Sequence, residues 1–228
     1  MSLIRLPKTG CQYRFTPADW QFIIETLGLN QRGRESLASL TDDPDSVRLI
    51  LDHPKLFEAV ISTRRAAVMS ANLFFFVLVR HTLKRIGVED IGVADYIAVV
   101  CADFGLPSVN PVAQQKPDVK GLYSTDYIEA LENARGPESF FIHVKCANQF
   151  LVLTCLFPAF LHHRAERRGA PDVEFYEQVV INHLSAASHH ALASEFALQD
   201  VLVQLAESFK PVRRAMNYTL REYLSLGS

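Results

Sequence analysis

Leu73-Phe74-Phe75-Phe76-Val77-Leu78-Val79 is an unbroken run of seven apolar side chains inside a 14-residue uncharged stretch, Ala66–Val79, bracketed by Arg65 and Arg80. A second uncharged stretch, the 16 residues of Cys146–Leu161, lies between Lys145 and His162. Wound as a helix, such a stretch is apolar on nearly every side, and a helix of that kind is buried all round. Both stretches are shorter than the roughly 20 apolar residues a bilayer span needs. Both also carry polar groups: Ser70 and Asn72 in the first, Asn148, Gln149 and Thr154 in the second. They are expected to be two central helices of a water-soluble core, with no membrane span.

Outward from these runs, the chain is punctuated by helix starts and stops. Thr16-Pro17-Ala18-Asp19 offers a capping hydroxyl, a proline suited to the first helical position and an acid for the positive helix end. That helix runs to Leu27 and stops at Gly28, and a short one follows at Arg34–Leu40. Asp42-Asp43-Pro44-Asp45 opens another through Leu51, and a long helix is expected from Pro54 to about Arg85. Further helices are read at Val93–Phe104, Asp126–Ala134 and Pro137–Arg168. Gly169-Ala170-Pro171-Asp172 is a turn, Val173–Phe196 a return helix, and Gln199–Leu226 a last helix bent at Pro211. No segment alternates with period two, so no sheet is expected. The expected fold is all-α: one domain, residues 1–228, a bundle of about seven to nine helices with two apolar helices at its centre. Gly105–Ser124, with Pro107, Pro111, Pro117 and Gly121, is read as an irregular surface loop.

Composition narrows the class. Of the 228 residues 49% are hydrophobic and 21% charged, enough for a core and too apolar for a disordered chain. The balance of 23 basic against 25 acidic residues excludes a generally basic nucleic-acid binder. The short helices near the N-terminus have the grain of a DNA reader. Their charges, however, are six acids (Asp19, Glu25, Glu35, Asp42, Asp43, Asp45) against three bases (Arg32, Arg34, Arg48), the wrong sign for phosphate. Met1–Lys8 has no apolar run of the kind a signal peptide needs. The four cysteines, Cys11, Cys101, Cys146 and Cys155, form no CxxC pair and read as reduced thiols of a cytoplasmic protein. A mean hydropathy of +0.07 points to a homo-oligomer, since monomers tolerate large apolar patches poorly.

Histidine is the first candidate for chemistry, at positions 53, 81, 143, 162, 163, 183, 189 and 190. Neither HExxH nor ExxH occurs. With a hairpin centred near Ala170, His183 falls opposite Pro158, His190 opposite Leu151, and His143 level with Leu198. The imidazoles then spread along the hairpin, and no metal or other cofactor is expected. Pro158 leaves the Thr154 carbonyl without its helical donor. His183 is expected to supply one.

Asn72, Asn148, Gln149, Asn182 and His183 are polar groups set in apolar helices. Such groups either pair with one another and with backbone, or grip a ligand inside the bundle. Asn72, Asn148, Gln149 and His183 are the ligand-binding candidates. Arg64 and Arg65, read as mid-helix, are candidate contacts for an anion or an acidic partner. GxSxG, GxxxxGK[ST] and GxGxxG are all missing, so no catalytic residue is assigned and an enzyme is not the favoured class. The expected function is a non-enzymatic helical interaction or regulatory module that pairs with itself or with another protein. The alternative is a binder of a small apolar or amphipathic molecule held within the bundle.

Overall fold

A computed structural model describes residues 11–28, 30–39, 43–63, 69–104 and 124–224. After a short 3-10 helix, Cys11–Arg14, come α1 (Pro17–Leu27), α2 (Gln31–Ser39), α3 (Pro44–Leu51), α4 (Pro54–Ser62), α5 (Ala71–Arg85) and α6 (Ile91–Phe104). Then follow α7 (Ser124–Asn133), α8 (Pro137–Leu156), α9 (Pro158–Arg168), α10 (Val173–Ser188), α11 (Ala191–Glu195) and α12 (Gln199–Leu224). The protein is all-α, with no strand among the described residues. Most of the segment read as a loop, residues 105–123, lies outside the described residues, while Ser124 opens α7.

Among the described residues twelve α-helices stand where seven to nine were expected, because three expected helices are broken. The helix from Pro54 to Arg85 is two. At the end of α4, the Ser62 and Thr63 hydroxyls bond back to the carbonyls of Glu58 and Ala59, a local competitor to helix continuation. Before α5, Ser70 is extended (ψ 159°) and its hydroxyl caps the Leu73 amide. Ser70 is held there by Asp19, fully buried, whose Oδ1 accepts the Ser70 N–H at 2.6 Å. The other Asp19 oxygen closes the capping box of α1 with Thr16. Arg64 and Arg65 lie outside the described residues, beyond the last residue of α4.

The second break is at Phe157 (φ −126°, ψ 46°), the residue before Pro158, where sterics disfavour the helical region. The third is at His189–His190, where the His190 Nδ1 caps the Leu192 amide and starts α11. By contrast α12 runs through Pro211 as one 26-residue helix, with the proline on its exposed side.

The first run and the α8 part of the second are inside, whereas Phe157 and Phe160, late in the second, are exposed. In α5, Leu73 and every residue from Phe75 to Arg80 is buried; in α8, 11 side chains are buried, Phe140, Phe150 and Leu151 among them. α8 packs against α6, α7, α10 and α12, and α12 also reaches α5 and α6, so it joins the two apolar helices. One described helix, α8, is long and apolar enough to cross a membrane, and 61% of its most apolar 18-residue window is buried against the rest of the protein. Two buried arginines are paired with carboxylates from other segments of the chain. Arg80 grips both oxygens of Asp52 at 2.9 and 3.1 Å and donates to the Glu89 carbonyl. Arg213 holds Glu177 at 2.6 Å.

Candidate functional site

The ligand-binding candidates are not gathered into one cluster: Asn148, Gln149 and His183 each pair with a different side chain, and the Asn72 Oδ1 is buried without a hydrogen-bond partner among the described residues. Asn148 accepts the Tyr96 hydroxyl of α6 at 2.6 Å, and Gln149 accepts the Tyr127 hydroxyl of α7 at 2.6 Å. Being adjacent on α8, the two amides point about 100° apart. Asn182 is exposed and bonds to Gln178 one turn earlier. Asn72 lies in the first turn of α5, where its backbone carbonyl accepts the Cys11 thiol.

His183 meets His143, with 3.1 Å between their Nδ1 atoms. The hairpin register expected from the sequence is therefore wrong. Across the α8–α10 interface Phe140 lies at His190, His143 at His183 and Phe150 at Tyr176. This antiparallel pairing leaves Pro158 far from His183, because α9 departs from the axis of α8 at the Phe157 break. The carbonyls freed by that break are served from α12 instead. Asn217 Nδ2 donates to the Thr154 oxygen at 3.0 Å and to the Cys155 oxygen at 2.6 Å. Asn217 went unnoticed in the sequence because nothing local marks it; only the approach of α12 gives it a task.

Burial pulls His183 down to about 4, helped by neighbouring His143, and lowers His143 with a contribution from His190. Both imidazoles are therefore neutral at physiological pH. Burial also pushes the Cys146 and Cys155 thiols up to about 12 and raises Cys11 and Cys101. A thiol so shifted is not a nucleophile. Among the described residues, no three His, Cys, Asp or Glu side chains converge to hold a metal ion.

A surface feature lies where α4, α5 and α12 meet. An open groove of about 390 Å³ is lined by Pro54, Phe57, Ile61, His81 and Tyr223, with Glu58 and Ser62 at its rim. His53 caps the α4 start at Pro54, which sets Phe57 facing inward one turn later. The Phe57 ring lies flat on His81, 3.5 Å between centroids, and Tyr223 meets it edge-on at 5.3 Å. Burial and the nearby Arg85 lower the proton affinity of His81, so this floor is uncharged. The Ser62 hydroxyl is spent on its own helix carbonyls and is not activated. One turn beyond His81, Arg85 stacks over Tyr218 at 5.7 Å and bonds Glu222 at 3.3 Å. Tyr218 is 60% exposed, so α5 and α12 carry a protruding aromatic as well as the apolar groove. Neither the groove nor the knob was singled out in the sequence, since both depend on how α12 crosses α4 and α5. Comparison with protein-family models, with curated proteins and with solved structures finds no match to this chain.

Proposed function

We propose that this protein is a non-enzymatic helical interaction module and that its partner is a second copy of itself. One observation carries the reading: Arg85, one turn beyond the groove residue His81, stacks over the exposed Tyr218, so α5 and α12 together carry both an aromatic knob and the groove floored by Phe57, His81 and Tyr223. A two-fold interface uses one patch against itself, so a knob and a groove carried by the same two helices suit it. An apolar floor with Glu58 and Ser62 at the rim matches the usual anatomy of a docking surface. The groove is open, whereas sites for small molecules enclose most of their ligand. Two of the amides that would orient a ligand inside the bundle, Asn148 and Gln149, are bonded to Tyr96 and Tyr127, which supports the interaction reading over the ligand-binding one.

Sedimentation equilibrium of the full chain tests it. The wild type is expected to sediment as a concentration-dependent dimer. Tyr218→Ser, which changes an exposed side chain, and Ile61→Glu are each expected to give monomer with unchanged circular dichroism. A wild type that stays monomeric, or a dimer indifferent to both substitutions, refutes the proposal.

A further inference from the structure

We propose that His143 and His183 form a two-imidazole site for a divalent transition-metal ion, bridging α8 and α10 through their Nδ1 atoms. The two nitrogens are 3.1 Å apart and the ring centroids 4.9 Å apart, with the planes inclined by 57°. An imidazole's Nδ1 lies about 1.2 Å from its ring centre, so a collinear N–H···N bond of this length would hold the centres about 5.4 Å apart. The shorter observed separation means that the two Nδ1 directions are bent off that line. If both bend symmetrically towards one side, their lone-pair axes meet about 2 Å from each nitrogen, the length of a zinc–imidazole bond.

The surroundings suit an ion of this kind. Both rings are half-buried on closely packed helices, α8 and α10. The third nearby imidazole is otherwise engaged: His190 Nδ1 accepts the Leu192 amide, and Nε2 faces the Gly136 carbonyl at 3.3 Å. Water fills the remaining positions, since no third side-chain ligand converges there among the described residues. The ligand class is the borderline ions that imidazole prefers, Zn(II), Cu(II), Ni(II) or Co(II), rather than Mg(II) or Ca(II). The inference departs from the sequence-based expectation of no metal and is independent of the dimer reading.

The probe is Zn(II), titrated calorimetrically into full-length protein previously dialysed against chelator. Binding of one ion per chain is expected, with loss of that binding in both His143→Asn and His183→Asn. It should persist when the exposed His162 and His163 are both changed to Asn. Nitrogen-15 spectra of the imidazoles in wild-type protein give a readout free of any folding defect: the Nδ1 resonances of His143 and His183 should move together with added Zn(II), and Mg(II) should leave them in place. The absence of Zn(II) binding overturns the proposal. So does binding that survives both substitutions, binding lost with His162 and His163, or unmoved Nδ1 resonances.

Discussion

Replacing Asn217 with alanine tests the account of how the α8–α9 break is stabilised. The side chain makes three hydrogen bonds: to the Thr154 oxygen at 3.0 Å, to the Cys155 oxygen at 2.6 Å, and from Arg213 Nη1 at 3.1 Å. Thr154 and Cys155 have no solvent exposure, so water does not replace the lost donor without rearrangement. Pro158 has no N–H to return to the Thr154 carbonyl. Each orphaned carbonyl costs about 1 kcal/mol, the low end of the range for a buried polar group, because a carbonyl tolerates under-satisfaction better than an N–H does. Arg213 keeps its 2.6 Å bond to Glu177, so losing its contact with Asn217 adds less, roughly 0.5–1 kcal/mol. The expected total is about 2–3 kcal/mol, or a melting temperature lower by roughly 4–12 °C for a chain of this length.

Urea unfolding followed by circular dichroism is the assay, with the midpoint expected to fall and the slope to stay constant. Asn217→Asp retains an acceptor for Arg213 but sets oxygen against two carbonyl oxygens, and should cost at least as much. Asn182→Ala, which removes only an exposed contact with Gln178, should change stability by less than about 0.5 kcal/mol. His183→Leu should also destabilise, but by breaking the contact with His143 rather than by orphaning the Thr154 carbonyl. His143 and Thr154 are about 16 Å apart along α8, so the His183 and Asn217 substitutions should add. An Asn217→Ala protein as stable as the wild type within about 0.5 kcal/mol would refute the reasoning, as would strong coupling between the two sites.

Acid should destabilise the protein through His183. The unfolded side chain takes its proton near pH 6.5 and the folded one only near 4, so stability is unaffected above pH 6.5, falls as the pH drops between those values, and levels off below. With partial solvent screening the loss is about 2 kcal/mol, read as the part of the pH dependence of the urea midpoint that His183→Gln abolishes; identical profiles would count against it. Glu177→Ala should cost about 3–5 kcal/mol, because it leaves Arg213, 8% exposed, without its carboxylate. The double variant Glu177→Leu with Arg213→Leu should unfold at higher urea than Glu177→Ala, and the reverse order would show that the pair is not what stabilises this interface.

What could be read from the sequence was local. Thr16, Asp43 and Asp172 cap the helices they precede, bonding the amides of Asp19, Ser46 and Phe175. The first apolar run and the second as far as Leu156 are buried as expected, because burial of an all-round apolar helix does not depend on which neighbour covers it; past the break Phe157 and Phe160 are exposed. The breaks are a different matter. Ser70 is held out of helix by Asp19, 51 residues away, and the end of α8 is secured by Asn217, 63 residues from Thr154. Pro158 was visible as a disturbance, yet whether it bends a helix or ends one is decided by the donor that α12 brings.

That decision propagates. Once Phe157 leaves the helical region, the 11 residues of α9 no longer extend the axis of α8, and α10 returns against α8 in a different register. His183 moves from Pro158 to His143, and His190 from Leu151 to Phe140. A pair of backbone angles at one residue thus determines whether two imidazoles are separate core-fillers or a pair with facing nitrogens. The sequence did contain one clue to the scattered amides. Asn148 and Gln149 are consecutive, so on a helix they face different neighbours, which here are tyrosines on two helices. Tyr218 and the groove had no such clue, because their residues come from α4, α5 and α12 and become neighbours only when those helices cross.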